Sequence, residues 1–143
     1  MFFLKALPSQ GMIARYIGSD GDTASIARAL AAMRRASEMI RKLERYFAAH
    51  DLSQLKFHVM IVIDRDPDHD SLRQSDIADR IDVSKPVLHR TIAALVDAGL
   101  LLSAPDPDDG RAALLSLSES GKAKLDEILP GYFQIVLTFD DEA

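Results

Sequence analysis

Apolar residues recur at helical spacing from Ile26 through Leu30, Met33, Ile40 and Leu43 to Phe47, with Ala36 filling the gap. This pattern predicts one long amphipathic helix over about 24–49. Asp22 or Thr23 stands where its N-cap belongs, after the turn-forming run Gly18-Ser19-Asp20-Gly21. The opposite face of this helix carries Arg28, Arg34, Arg35, Arg41, Lys42 and Arg45. A second helix, capped by Ser53, presents Leu55, Phe57, Val59, Met60, Val62 and Ile63 on most of its sides, which is the pattern of a helix at the centre of a core. Asp66-Pro67-Asp68 stops it. A short third helix, about Gln74 to Arg80, buries Ile77, Ala78 and Ile81. Ser84 caps a fourth that reaches Ala98, with Pro86 in its first turn and Gly99 in the left-handed position after its last. The runs Leu100-Leu101-Leu102 and Ala113-Leu114-Leu115-Ser116-Leu117 flank a Pro/Asp/Gly-rich tip and predict a β-hairpin. Ser118 caps a last helix from about 119, in which Pro130-Gly131 predicts a kink.

The order helix, helix, helix, helix, hairpin, helix contains two short helices joined by a tight turn and followed by a hairpin. The expected fold is mainly α with a small β-hairpin wing, a winged helix-turn-helix over about 53–117. Residues 1–23 form an N-terminal extension, and a single domain fills 24–143 with its C-terminal helix at about 118–139.

Composition removes whole classes of function. The 143 residues are 48% hydrophobic and 27% charged, enough for one core without disulfides or a structural metal. No run of eighteen apolar residues predicts a membrane span, and Met1-Phe2-Phe3-Leu4 lacks the basic lead-in and cleavage site of a signal peptide. The absence of cysteine excludes thiol nucleophiles, Cys-based zinc sites and thiol redox sensing, and fits a reducing cytoplasm. Net charge is −5, yet residues 24–56 hold seven basic groups against three acidic ones. Such a stripe reads first as a solvated face, and second as a surface for DNA flanks or an acidic partner. The acidic stretch from Asp64 to Asp70 lacks the glycine and glutamate of a calcium loop and reads as a solvated loop. No paired histidines, phosphate-binding glycine loop or nucleophile–base–acid arrangement is present, so neither an enzyme nor a cofactor is expected.

A family likeness sharpens this picture. The segment Ser84-Lys85-Pro86-Val87-Leu88-His89-Arg90 and the Leu95-x-x-x-Gly99-Leu100 exit lead to the wing stretch Asp109-Gly110-Arg111-Ala112-x-x-Leu115-x-Leu117-Ser118-x-x-Gly121. Together they resemble the MarR family of bacterial transcription regulators, over about residues 24–139, with Ser118 in place of that family's threonine. The resemblance implies a cytoplasmic homodimer on double-stranded DNA with a pseudo-palindromic operator, a repressor that responds to a small aromatic or phenolic effector.

The residues suit that role on physical grounds. A helix with small and polar side chains at its N-terminal end can enter a major groove about 12 Å wide. With Val87, Leu88, Ile92 and Leu95 turned to the core, Ser84, Lys85, Pro86, His89, Arg90 and Ala93 face outward. Arg90 and His89 are candidates for base edges, and Ser84 and Lys85 for phosphates. Arg111 at the hairpin tip can reach a minor groove, with Asp109 expected to hold its guanidinium by a bidentate contact. For an effector, Arg41, Arg45, Tyr46 and His58 are candidate lining residues.

Two features depart from the family pattern. Basic residues common in the family are replaced by neutral Ala94, Ala98, Ser103, Ala104 and Gly110, and each phosphate contact that is missing flattens the salt dependence of DNA binding by about one unit of log–log slope. This supports an alternative, a winged-helix protein with weak or lost DNA binding that acts through protein contacts. The chain also reaches Ala143 without the family's usual further C-terminal helix. The apolar segments Phe2–Ile17 and Tyr132–Leu137 are therefore expected to pack together across a two-fold axis.

Overall fold

The computed structural model describes residues 2, 4–18 and 21–141. Six helices and three strands follow in the order α1 (Gln10–Ile17), α2 (Thr23–Ala49), α3 (Gln54–Asp64), β1 (Leu72–Arg73), α4 (Gln74–Ala78), α5 (Lys85–Asp97), β2 (Leu101–Pro105), β3 (Ala113–Leu117) and α6 (Glu119–Asp141). The caps explain most boundaries. Asp22 accepts from the Ser25 amide at 2.9 Å, and Ser53 accepts from the Lys56 amide at 3.1 Å, each satisfying a donor that the helix itself leaves unpaired. Gly99, at φ 75°, takes the left-handed turn that releases the chain from α5 into β2. Ser84 occupies the N-cap of α5 but makes no side-chain capping hydrogen bond.

The core is built around α3. Phe57, Val59, Met60, Val62 and Ile63 are buried from it, and Leu88, Ile92 and Leu95 of α5 meet it from one side. From the other, Phe47 of α2 stacks on Phe57 at 4.6 Å between ring centroids, and Tyr132 of α6 lies 4.7 Å from Phe57. Such aromatic pairs add about 0.5–1.5 kcal/mol beyond the area they bury. They fasten the long helices α2 and α6 to the head that carries α4, α5 and the hairpin.

Three expectations need revising. The hairpin is part of a three-stranded antiparallel sheet of order β1-β3-β2, in which Leu72 pairs with Leu115 and Arg73 with Leu114. A two-residue strand has no periodicity to betray it. The third helix ends at Ala78 rather than Arg80. Finally, the 64–70 loop is not simply solvated, since the Asp66 side chain is only 5% exposed.

Asp66 accepts from Arg80 Nη1 at 2.8 Å and from the amides of Asp68 and His69 at 3.0 and 2.9 Å. The Arg80 hydrogen bond, then the Asp68 amide, hold its carboxyl down at about 2. A carboxyl depressed in the folded state stabilises the fold above its unfolded value near 3.8, and this contribution disappears as pH falls toward 2. Melting curves between pH 5 and 2 are expected to fall less steeply for Asp66→Asn than for the parent. The variant should be less stable at neutral pH and converge with the parent near the acid end.

Candidate nucleic-acid interface

Helix α5 turns Leu88, Ile92 and Leu95 inward and leaves Val87 half-buried. Ser84, Lys85, Pro86, His89, Arg90 and Ala93 are all exposed along the opposite side, as the spacing predicts. Across from them stands the wing. Its loop is organised by its own backbone: the Asp106 amide donates to the Ala112 carbonyl at 3.1 Å, and the Ala112 amide to the Asp109 carbonyl at 3.0 Å. Arg111 is exposed at the tip, and among the described residues no carboxylate forms an ion pair with it, with Lys85 or with Arg90.

His89 and Ala93 of α5, Gln74 and Ser75 at the start of α4, and Asp109 and Arg111 of the wing line one open concavity of about 630 Å³. The structure thus brings α5 and the arginine-tipped wing to a single face. It also places Asp97 and Asp109 in that concavity.

Asp109 does not clamp the Arg111 guanidinium as expected. Its Oδ1 accepts the Arg111 backbone N–H at 3.0 Å, an aspartate turn that fixes the chain at the tip while leaving the long side chain unpaired. The clamped arginine is a different one. Arg73 of β1 directs both Nε and Nη2 at Asp106 Oδ2, each at 2.5 Å, and Asp106 is 4% exposed. The Asp108 amide, at 2.9 Å on the other oxygen, and then the Arg73 guanidinium keep the Asp106 carboxyl below the usual range. Beside it, Gln74 Oε1 lies 3.3 Å from His89 Nδ1. Neither Arg73 nor Gln74 was legible as part of this site, because their partners lie 33 and 15 residues away and no motif links them.

The candidate effector residues separate. His58 lines a cleft of about 790 Å³ between α3, the end of α2 and the α4–α5 turn, with Glu44, Arg65, Arg80 and Asp82 among its polar walls and Leu55, Ile61 and Ile81 among its apolar ones. Burial, and then the nearby Arg65 charge, push the His58 imidazole below its ordinary value. Arg41, Arg45 and Tyr46 do not line this cleft. The Tyr46 hydroxyl donates to the Ile128 carbonyl at 2.7 Å and ties α2 to α6, and Arg45 is exposed. The basic stripe of α2 is likewise divided: Arg34 pairs with Glu38 at 3.2 Å, and Arg35 covers the Phe139 ring at 4.7 Å.

Comparison with known proteins agrees with this geometry. The model of the MarR family matches residues 50–112, which run from the end of α2 to the wing. The HTH-type transcriptional repressor YetL of Bacillus subtilis (strain 168) is 30% identical over 98 residues, 68% of this chain and 58% of that repressor. The matched stretch thus spans little more than half of the length of that curated relative. Among solved structures, AbsC from Streptomyces coelicolor superposes with a TM-score of 0.74 at 20% identity, over 83% of this chain and 79% of that one. Sco3205 from the same organism, solved in complex with DNA, gives 0.73 at 18% identity, over 83% and 74%. Both are described as MarR family transcriptional regulators, and at these identities the likeness establishes the winged-helix fold. With the wing signature now seated at the tip and base of the hairpin, and with α5 presented beside it, the chain belongs to the MarR family.

Proposed function

We propose that the protein is a sequence-specific DNA-binding transcription regulator that acts as a homodimer on a pseudo-palindromic operator. The observation that carries this reading is the concavity that His89 and Ala93 of α5 share with Arg111 of the wing, with Lys85 and Arg90 exposed on α5 and, like Arg111, free of ion pairs among the described residues. In this reading the Pro86-containing first turn of α5 lies at the backbone. Ser84 and Lys85 take phosphates, the Ser84 hydroxyl being uncommitted to capping. His89 and Arg90 reach base edges in the major groove, and Arg111 enters the flanking minor groove. Repression follows from occupancy of the operator, in keeping with the repressor name of the Bacillus relative.

The exposed apolar residues supply the dimer surface. Tyr16 is 77% exposed, and Met33, Phe133 and Leu137 are each 56% exposed, on helices α1, α2 and α6. Large apolar side chains exposed in this number on three helices are the raw material of a contact between copies. A two-fold axis through it sets two α5 helices about 34 Å apart, one turn of duplex. Sedimentation is expected to report a dimer, and the pair Phe133→Glu, Leu137→Glu to convert it to a folded monomer that has lost most of its operator affinity.

The cleft around His58 is the site assigned to an effector. Its volume is within the range of small-molecule sites, and its apolar walls suit an aromatic ring, with Arg65 as the cation for an acidic group, since Arg80 is already paired with Asp66. Such a ligand regulates only through unequal affinity for two spacings of the DNA-binding heads.

A second reading, a winged-helix module that has lost DNA binding and acts through protein contacts, rests on Asp97 and Asp109 in the concavity. The two separate on one titration: binding to the chain's own upstream DNA and to unrelated duplex, each at several salt concentrations. The regulator prefers its own DNA and loses affinity steeply with salt, about 0.9 in log–log slope per phosphate contact. Equal, weak or absent binding at low salt supports the second reading.

A further inference from the structure

We propose that Arg73 is a positioning residue of the DNA-binding face, which through its ion pair with the buried Asp106 carboxylate sets where the wing stands and so where Arg111 meets the duplex. The proposal rests on the DNA-binding reading for its consequence, but its structural half stands by itself. Asp106 is the organising residue of the wing base. Its amide and carbonyl serve the Ala112 carbonyl and Asp109 amide, and its Oδ1 accepts the Asp108 amide. All of those bonds stay within the hairpin, whose loop end lies beyond the short β1–β3 pairing. The pair to Arg73 is different, because it reaches 33 residues back to β1. There the Arg73 backbone pairs with Leu114 of β3, and its amide donates to Asp76 Oδ2 at 3.0 Å to open α4. The next residue, Gln74, meets His89 of α5. One dipeptide therefore touches the wing on one side and the reading helix on the other.

The burial of the two partners is unequal, and that decides how each substitution acts. The Asp106 side chain is 4% exposed, whereas that of Arg73 is 41% exposed. Removing the arginine strands a buried carboxylate, which must turn toward water and take the wing base with it. Removing the carboxylate charge releases a half-exposed arginine that water can receive. Both changes remove the side-chain tie between β1 and the wing base and leave the wing held to β1 by the backbone pairing of β3 alone.

A competing role for Arg73 is a direct phosphate contact, since it also lines the concavity. The two roles predict opposite signs for Asp106→Asn. If Arg73 positions the wing, Asp106→Asn weakens operator binding about tenfold, although it removes a negative charge from a DNA-facing element. If Arg73 is a phosphate ligand held back by Asp106, the same variant tightens binding.

The experiment joins two measurements on the full chain. Amide hydrogen exchange without DNA is followed for Asp108, Asp109 and Ala112, with core α3 amides as the reference. Arg73→Gln and Asp106→Asn are each expected to speed wing exchange about tenfold with the α3 amides unchanged, and Arg73→Lys to restore part of the protection. Operator titrations then compare Arg111→Ala in the parent and in Arg73→Gln. The loss on removing Arg111 should shrink in the Arg73→Gln background, whereas the loss from Lys85→Ala should not. Unchanged wing exchange in both variants, or tighter binding by Asp106→Asn, overturns the proposal. Failure of the parent to bind DNA overturns the regulator reading instead, and wing exchange still decides whether the clamp exists.

Discussion

Arg111→Ala is expected to weaken operator binding by about 1–3 kcal/mol, roughly five- to 150-fold, by abolishing one groove interaction, while the melting temperature stays within a degree or so of the parent. The separation of the two effects comes from the wing tip. The turn there is held by the Arg111 backbone N–H on Asp109 Oδ1 at 3.0 Å, and alanine keeps that N–H. The guanidinium is exposed and forms no ion pair among the described residues, so the folded chain loses nothing when it goes. In the complex it faces a narrow groove of negative potential, where one long cation without its own counter-charge is attracted most. Arg111→Lys should fall between the two, because it retains the charge but not the planar fork. Arg34→Ala is the matched control: that residue already pairs with Glu38 along α2, and its loss should leave affinity and stability within error. Parent-like binding by Arg111→Ala would remove the wing from the DNA-binding account.

The second large effect is on the fold. Gly121→Ala should cost about 3 kcal/mol or more, a drop in melting temperature on the order of 10 °C. Gly121 is buried in the first turn of α6, and its amide donates to Ser118 Oγ at 3.0 Å. Ser118 in turn donates its amide to the Leu100 carbonyl at 3.1 Å and its hydroxyl to the Gly99 carbonyl. A Cβ on Gly121 would be driven into that same Leu100 carbonyl and within 3.2 Å of Leu117 Cδ2. The Leu117 methyl can give by a few tenths of an ångström, but the Leu100 carbonyl is backbone and cannot. Relief requires prising α6 from the start of β2, which breaks the three hydrogen bonds that join helix, hinge and hairpin. Gly110→Ala in the same signature meets nothing within 4 Å and should be neutral. Thermal denaturation of the two variants side by side checks both statements. Equal melting temperatures would mean that the close approach at Gly121 is not what the signature glycine serves.

This contrast shows what kind of information the chain carries on its surface. The helices α2, α3 and α5 were legible because burial on one face repeats every three to four residues, and because a capping aspartate, a capping serine and a left-handed glycine each act within one turn. The outward set on α5 follows from the same period. The wing could be placed from its Pro/Asp/Gly tip between two apolar runs. By contrast, β1 is two residues long, and it is a strand only because Leu114 and Leu115 stand beside it. Asp109 and Arg111 look like a pair in sequence, yet the turn aims the carboxylate at the backbone instead. Tyr46 has the chemistry of a pocket residue, but α6 packs where its hydroxyl points.

By itself, then, the order of the residues determined the local conformations, the inward and outward faces of each helix and the family signature. All of these depend on neighbours a few positions apart, for which backbone geometry is nearly fixed. The tertiary structure alone decided which charges meet: Arg73 with Asp106, Arg80 with Asp66, Gln74 with His89, and His58 with a cleft that its expected companions do not reach. Those pairings hinge on how separate elements pack, and packing is governed by the sum of many apolar contacts with no direction of their own. A polar side chain learns its partner only after that sum has been settled.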